Sequence, residues 1–355
     1  MSLAAPADEP FVAAYVHLAH VIDRDASEEA RREAIAESIA SAKRAGLTVL
    51  IPYTSSSSGV AYYPSSFHPE SLYGSWDALG AYIDAARDAG LTVYPTVPVL
   101  TSGHDRPAGI LERNPDWALR DEEGAPIGYI SAANADARRW VVEMLRDLVA
   151  RYELEGVLLD YLRYPNKPVD LEPVGAAGYE KESGGAKYEL TDRGDTPWQR
   201  YKEENLTRLM SMIRGALGET RIALYCWGPH VTRGHYVGQR WDHWARMGYL
   251  DIINVSGYCY TENYGDRYMD VFRERLAKAR GLVNPSESDA RFTFCLGVKT
   301  SHGGIKDSTE IGEYLNVSRE AGMNGVAVFT LNTLTGYLDD VVDAEYFPSY
   351  AETLD

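Results

Sequence analysis

The sequence predicts an α/β fold, a single (β/α)8 TIM barrel spanning residues 1–355. Three observations predict it: short apolar strands alternate with amphipathic helices, the strands number eight, and no linker divides the chain. Most strands are nearly continuous apolar runs, which is typical of parallel strands that are buried on both faces. A doubly wound open sheet uses the same repeating unit, but the count of eight favours the closed barrel.

The predicted strands are apolar, β-branched or aromatic runs bounded by turn residues. They cover residues 11–17, 47–53, 91–99, 155–161, 221–227, 250–258, 291–298 and 325–331. The helices between them have the apolar spacing of one buried face, with Ser27 and Ser75 as N-caps of the first two. These helices cover residues 28–45, 76–89, 136–152, 198–217, 237–247, 268–280 and 308–321.

Three long loops follow strands two, three and four, at residues 54–74, 100–135 and 165–197. In a barrel of this kind, the loops after the strands surround the end where active sites lie. The third loop is rich in Gly, Pro and charged residues, and we predict that it is a long loop or lid insertion.

Composition limits the function classes. The chain has 35 basic and 52 acidic residues, a formal charge of −17, which argues against nucleic acid and anionic membrane surfaces as partners. No apolar run approaches the roughly 20 residues of a membrane-spanning helix. The three cysteines have no CxxC spacing, which argues against a disulfide scaffold or a zinc ribbon. No GxGxxG or Walker motif is present, so no nucleotide cofactor is predicted. The N-terminal residues contain no signal peptide, so we expect a cytoplasmic protein or one exported with a trimmed leader.

The most informative segment is Gly156–Pro165, GVLLDYLRYP, in which Asp160 ends an otherwise apolar strand. A poorly hydrated carboxylate is costly unless it does chemistry, binds a ligand or pairs with a cation. One interpretation is a buried ion pair with Arg163 that holds the loop. Catalysis is favoured, because active sites of barrels lie at the carboxyl ends of strands.

Four segments together resemble the glycosyl-hydrolase-like family 10. They are residues 11–17 (FVAAYVH), 53–65 (YTSSSSGVAYYPS), 114–119 (NPDWAL) and above all 156–165. The family consists of barrel enzymes with the strand-four motif Gly-(apolar)3-Asp-Tyr-x-Arg-Tyr-Pro, and it includes a hydrolase of denuded peptidoglycan strands. The resemblance covers strands one to six and implies a glycoside hydrolase that acts on a polysaccharide or glycan strand, such as one of the cell wall. Many relatives carry a second Asp after the first, where this chain has Tyr161.

Glycoside hydrolysis uses two carboxyl groups that flank the scissile bond. Asp160 is the predicted nucleophile or oxocarbenium stabiliser, kept ionised by Arg163. Glu262, just after strand six, is the predicted general acid, with Tyr258 and Tyr260 raising its pKa by excluding water. The other candidates for the second carboxylate are Asp23, Asp105 and Asp266.

A sugar site also needs flat aromatic faces and polar side chains at the mouth, and the chain has 25 tyrosines against 7 phenylalanines. Tyr161 and Tyr225 are among the tyrosines predicted at strand ends. Lys299 and Arg163 are cations that would bind an anionic sugar or balance Asp160. The predicted substrate-binding residues are His17, Tyr53, Tyr62, Tyr94, Trp117, Arg163, Trp227, Tyr258 and Lys299.

Two other functions stay open. One is a metal-dependent barrel hydrolase of the deacetylase or amidohydrolase type, using His17, Asp160 and His230. The other is a non-catalytic carbohydrate-binding barrel, in which Asp160 and Arg163 only grip a ligand. The preferred prediction involves no metal and no cofactor, because the sequence lacks HxH and HExxH motifs. Carbohydrate is then the predicted partner, and the oligomeric state is not predicted.

Overall fold

A computed structural model describes residues 10–228 and 236–354 of the chain. Its main sheet consists of eight parallel strands, and the third strand is interrupted at Tyr94 and Pro95. The strands are β1 (Phe11–Val16), β2 (Val49–Pro52), β3 (Thr92–Val93 and Thr96–Pro98), β4 (Gly156–Asp160), β5 (Arg221–Cys226), β6 (Ile252–Ser256), β7 (Arg291–Gly297) and β8 (Gly325–Phe329).

The two halves of β3 close the sheet into a ring. The first half pairs with β2, with Thr92 opposite Val49. The second half pairs with β4, with Thr96 opposite Leu158, and Thr96 also forms a bridge with Tyr53 after β2. Because β8 pairs with both β1 and β7, every strand has a neighbour on each side, and the predicted TIM barrel is confirmed.

Each connection between successive strands contains one helix that is labelled here. These helices are α1 (Glu28–Arg44), α2 (Ala78–Asp88), α3 (Ala135–Tyr152), α4 (Pro197–Leu217), α5 (Trp241–Arg246), α6 (Tyr268–Arg280) and α7 (Thr309–Glu320). Other helices are Leu18–Val21, Ile110–Arg113, Pro173–Ser183, Thr261–Tyr264, Leu331–Leu334, Leu338–Asp343 and Tyr346–Ala351, with 3-10 turns at Pro115–Trp117, Gly265–Arg267 and Thr335–Tyr337. Within the described ranges, no helix is both long enough and apolar enough to cross a bilayer.

Local capping explains where the first helices begin. Ser27 accepts a hydrogen bond from the backbone N–H of Ala30, as predicted for an N-cap. For α2 the predicted cap Ser75 was wrong, because Asp77 caps the helix by accepting from the N–H of Gly80 at 2.7 Å. Asp77 also accepts a hydrogen bond from the hydroxyl of Tyr152 at 2.9 Å, so the capping side chain also links α2 to the end of α3.

Long loops follow β2, β3 and β4. The first two contain short strands, Val60–Ala61 with Glu70–Ser71, and Thr101–His104 with Pro126–Ile130 and Ala118–Arg120. The third contains the helix Pro173–Ser183, capped by the fully buried carboxylate of Glu172. Glu172 also accepts from the hydroxyl of Ser131 at 3.0 Å, so the third loop is fastened to the end of the second.

Candidate active site

A cavity of about 770 Å³ lies at the carboxyl end of the barrel. Six strands contribute side chains to its wall, each within one residue of the strand's last residue. These side chains are Tyr15 (β1), Tyr53 (β2), Asp160 (β4), Tyr225 (β5), Ser256 (β6) and Phe329 (β8). This is the end of a TIM barrel at which ligands and catalytic groups are found.

Asp160 is the buried acid of this cavity, with only 7% of its surface exposed. Its Oδ1 accepts a hydrogen bond from the backbone N–H of Tyr161 at 2.7 Å, and its Oδ2 accepts from the hydroxyl of Tyr53 at 3.3 Å. Burial raises the pKa of the Asp160 carboxyl above its ordinary value, although Arg163 and the two hydrogen bonds each act to lower it. The carboxyl therefore holds its proton to a higher pH than an exposed aspartate does.

The backbone immediately after Asp160 has an unusual conformation. Tyr161 has φ of +54°, in the left-handed region that residues other than glycine rarely adopt. Residues held in this region are concentrated at functional sites, where the surrounding structure compensates for the strain. Here the ring of Tyr161 packs edge-on against His104, with 5.6 Å between centroids. The turn presents the Tyr161 N–H to the carboxylate of the preceding residue.

Arg163 lies in the cavity wall but does not form the predicted ion pair. No atom of its guanidinium lies within 4.0 Å of an acidic oxygen of any residue in the described ranges. Instead, the guanidinium lies over the ring of Tyr161 at 5.0 Å, and Nη1 donates to the carbonyl of Tyr164 at 3.2 Å. Arg163 acts to lower the pKa of Asp160, in the direction expected of it, but burial has the larger effect.

Glu262 is the second carboxylate in the wall, and no further acidic residue of the described chain lines the cavity. It belongs to the one-turn helix Thr261–Tyr264 on the rim, and its side chain is exposed. The predicted desolvation by Tyr258 and Tyr260 is not found. Tyr260 turns away and donates its hydroxyl hydrogen bond to the carbonyl of Gly297 at 3.2 Å.

The other candidates for the second carboxylate lie elsewhere. Asp105 is exposed and pairs with Lys167 at 2.9 Å, and Asp23 lines a separate cavity of about 500 Å³. Asp266 lies in the 3-10 turn next to Glu262 and does not contribute to the wall.

Two tyrosines of the cavity wall, Tyr15 and Tyr258, are called the tyrosine layer here, and both are hydrogen-bonded to buried side chains. Asn254 donates to the hydroxyl of Tyr15 at 3.0 Å and accepts from the hydroxyl of Thr293 at 3.0 Å. The hydroxyl of Tyr258 lies 3.4 Å from the sulfur of Cys295. Burial raises the pKa values of Tyr15 and Tyr258, so both hydroxyls stay protonated over the ordinary pH range. The layer thus offers hydroxyl groups and ring faces to a ligand.

Four of the predicted substrate-binding residues line the cavity: Tyr53, Arg163, Trp227 and Tyr258. His17 lies behind the wall. Its ring is stacked on Tyr53 with 4.3 Å between centroids, and it meets the edge of Phe329 at 5.8 Å. Burial lowers the pKa of His17 to about 4, so it is a neutral support for Tyr53.

Tyr94 was predicted at the mouth, and that location is wrong. It lines a cavity of about 400 Å³ together with Phe11, Arg221 and Asp251, which begin or precede strands. The ring of Tyr94 lies against Gly156, where an added Cβ would be 2.0 Å from a ring carbon. The β3 strand continues past Tyr94 to Pro98, so Tyr94 fills the amino-terminal end of the barrel.

Three further predicted binding residues lie outside the cavity wall. Tyr62 is buried against Tyr73, and Trp117 packs against Trp140 of α3 with 6.2 Å between centroids. Lys299 is exposed in the first strand of the hairpin Lys299–Thr300 with Gly303–Gly304. In that hairpin the following residues, Thr300 to His302, contribute to the wall instead.

Sequence reasoning missed other wall residues. Tyr15 is two residues before His17 on β1, so the period of a strand would have placed its side chain on the inner face. Arg275 could not have been found this way, because it comes from α6 and not from a strand end. It reaches the cavity by donating to the carbonyls of Ser256 and Tyr258, each at 3.3 Å.

The proposed metal ligands do not come together in the part of the chain that the structure covers. Among those residues, no group of three His, Cys, Asp or Glu side chains is arranged to hold a metal ion. His230, the third ligand of that alternative, lies outside the described residues.

Comparison with known structures supports the fold. The PgaB (BpsB) glycoside hydrolase domain from Bordetella bronchiseptica has a TM-score of 0.69 at 16% identity, covering 94% of this chain and 97% of that chain. The catalytic domain of a β-amylase from Paenibacillus polymyxa has a TM-score of 0.62 at 11% identity, covering 96% and 99%. α-L-fucosidase isoenzyme 2 from Paenibacillus thiaminolyticus has a TM-score of 0.63 at 15% identity, covering 97% of this chain and 49% of that chain.

Sequence comparison gives the family. An S-layer-related protein from Niallia circulans is 19% identical over 211 residues, which are 50% of this chain and only 13% of that relative. The family model described as Glycosyl hydrolase-like 10 matches residues 15–279, the part of the chain from β1 through most of α6, which contains Asp160 and Glu262. The chain therefore belongs to the Glycosyl hydrolase-like 10 family.

Proposed function

We propose that this protein is a glycoside hydrolase that cleaves a polysaccharide or glycan strand with two carboxyl groups, Asp160 and Glu262. One observation supports this above all: the only two carboxylates that line the carboxyl-end cavity, among the described residues, differ in environment. One is buried and the other is exposed. The two carboxyl groups of such a pair commonly have different roles that are set by different surroundings.

We assign the general acid to Asp160. Its burial favours the protonated form, and a general acid must carry a proton when the substrate binds. The hydroxyl of Tyr53 and the N–H of Tyr161 are hydrogen-bond donors to its oxygens, so both can stabilise the carboxylate that remains after proton transfer. This reverses the role that the sequence suggested for Asp160.

Glu262 then takes the complementary role, as nucleophile or as the base that activates water. Its place on the exposed rim gives it access to water, which either role requires. The tyrosine layer and Trp227 provide faces against which sugar rings can stack. A polysaccharide substrate is also in keeping with the fold, since the chain shares it with the PgaB glycoside hydrolase domain.

Release of reducing ends from a panel of polysaccharides tests this function. Wild-type protein, Asp160→Asn and Glu262→Gln are compared, with Asp266→Asn as the matched rim control. Reducing ends released by wild type and Asp266→Asn, but not by the other two variants, are expected. A wild-type protein that binds glycans without cleaving any of them would instead favour the carbohydrate-binding alternative.

A chelator distinguishes the metal-dependent alternative from the two-carboxylate mechanism. Incubation with EDTA followed by removal of the chelator should leave the hydrolysis rate unchanged if the two carboxyl groups suffice. Loss of activity that a divalent cation restores would favour the deacetylase or amidohydrolase type, as would release of acetate or ammonia in place of reducing ends.

A further inference from the structure

We propose that the glycan bound in the carboxyl-end cavity carries a carboxylate, and that the guanidinium of Arg163 binds it. This rests on the proposed function and specifies its substrate class. Among the described residues, the wall has four side chains with formal charges: Asp160, Glu262, Arg163 and Arg275. Neither arginine has an ion-pair partner within the described ranges, so the acids of the wall do not neutralise them.

Arg163 is the arginine with donors to spare. The guanidinium has five N–H groups, and among the described residues it makes a single hydrogen bond, from Nη1 to the carbonyl of Tyr164 at 3.2 Å. Its Nε is buried and has no acceptor in the described chain. That atom is enclosed by the protein, whereas Nη2 has no hydrogen-bond partner among the described residues and belongs to a side chain of the cavity wall, so Nη2 is the donor that a ligand would meet.

The guanidinium is also held in place before a ligand arrives. The ring of Tyr161 lies 5.0 Å from its central carbon, and this contact joins it to the turn that follows Asp160. An arginine that is positioned in advance loses little side-chain entropy on binding, and its planar fork matches the two oxygens of a carboxylate. A neutral sugar hydroxyl would use one of these donors and leave the charge unbalanced.

Arg275 contributes charge more than hydrogen bonds. Its Nη1 donates to the carbonyls of Ser256 and Tyr258, and its Nη2 donates to the hydroxyl of Tyr264 at 3.1 Å. Those contacts fix a positive charge in the wall. Burial also disfavours the anion of Asp160, which weakens the repulsion between that carboxyl and an acidic ligand.

The charge of the whole chain does not outweigh this local arrangement. The formal charge of −17 is spread over the molecule, and salt screens exposed charges beyond roughly 8 Å at physiological ionic strength. A carboxylate in the cavity interacts with arginines at contact distance, where screening is weak. The acidic surface therefore slows approach of an acidic polymer more than it weakens its binding.

Glycan binding by a non-cleaving variant tests the inference. Asp160→Asn is applied to an array of neutral, uronic-acid and amino-sugar oligosaccharides, and each acidic ligand that binds is compared with its carboxyl-reduced counterpart by calorimetry. Arg163→Gln and the exposed rim arginine change Arg267→Gln are each combined with Asp160→Asn. We expect carboxylated glycans to bind best, with Arg163→Gln or carboxyl reduction weakening binding roughly 10- to 100-fold and Arg267→Gln having no effect.

Several outcomes would overturn it: neutral or amino-sugar glycans binding as tightly as carboxylated ones, no carboxylated glycan binding, or Arg163→Gln leaving affinity unchanged. Cleavage by wild type is scored separately on the same ligands. Acidic glycans that bind through Arg163 but are never cleaved would refute hydrolysis and leave the inference intact. Cleavage confined to neutral glycans would refute the inference and leave the proposed hydrolase function intact.

Discussion

The hydroxyl of Tyr53 donates a hydrogen bond to Oδ2 of Asp160 over 3.3 Å, joining the ends of β2 and β4 across the intervening strand β3. Tyr53 is in turn held by His17, which directly follows β1 and whose ring is stacked on that of Tyr53. The carboxyl of Asp160 is therefore oriented through side chains at the ends of three strands of the ring. Its position depends on closure of the barrel and not only on the local motif.

Asp160→Asn should lower kcat by about 10²- to 10⁴-fold, the range usually lost with a general acid. The amide keeps the shape of the side chain but has no proton to transfer. The melting temperature should stay the same or rise, because a buried ionisable group is replaced by a neutral one. Hydrolysis rates and thermal unfolding measured on the same preparation check both expectations. Wild-type turnover by this variant would remove Asp160 from the mechanism.

Tyr53→Phe should move the alkaline limb of the activity profile to higher pH. The hydrogen bond from Tyr53 lowers the pKa of Asp160. Its loss therefore raises that pKa and keeps Asp160 protonated up to a higher pH. One hydrogen bond corresponds to a shift of up to about one pH unit. The pH dependence of kcat/KM measures the shift, and Tyr15→Phe, which removes a cavity hydroxyl bonded to Asn254, is the control. A limb that moves to lower pH, or equally in both variants, would contradict this.

Glu262→Ala should lower kcat/KM by about 10²- to 10⁴-fold, and added azide should restore part of the turnover. A small anion can occupy the space of the missing carboxylate and attack the sugar in its place. Detection of a glycosyl azide, with its anomeric configuration, would then report which side of the ring Glu262 faces. Asp266→Ala, one turn further along the same rim, should leave the turnover unchanged both without and with azide. Equal effects of the two substitutions would make Glu262 an ordinary rim acid.

The protein should lose stability as the pH falls from about 6.5 towards 4, and His68 should contribute to this loss. Burial lowers the pKa of His68 to about 4 from its ordinary 6.5. Between those values the unfolded chain binds a proton that the folded chain does not, so the free energy of unfolding decreases as the pH falls. The imidazole packs edge-on against Tyr63 and Trp140, which limits its hydration.

Denaturant unfolding at a series of pH values measures this contribution. His68→Gln should give a shallower decrease between pH 6.5 and 4, and His302→Gln, a change at an exposed position, should keep the wild-type slope. Part of the slope remains in the His68 variant, because the pKa of His17 is also lowered to about 4. An unchanged slope in His68→Gln would show that folding does not lower the pKa of His68.

The order of strands and helices could be read from the sequence because each element has its own local signal. Strands are short apolar runs, and helices have a 3.6-residue apolar period with caps such as Ser27. The importance of Asp160 was also local, since a lone acid at the end of a buried strand has few explanations. The count of eight strands then predicted the ring that the parallel pairings form.

The sequence predicted some of the side chains that line the cavity, and the tertiary structure decided the others. Tyr94 fills the opposite end of the barrel because β3 runs on past it, and Arg275 reaches the wall from a helix that is distant in sequence. The raised pKa of Asp160 likewise results from burial among residues of several strands, an effect larger than that of the neighbouring Arg163. Periodicity records which residues avoid water, whereas distance and desolvation arise only when remote segments pack together.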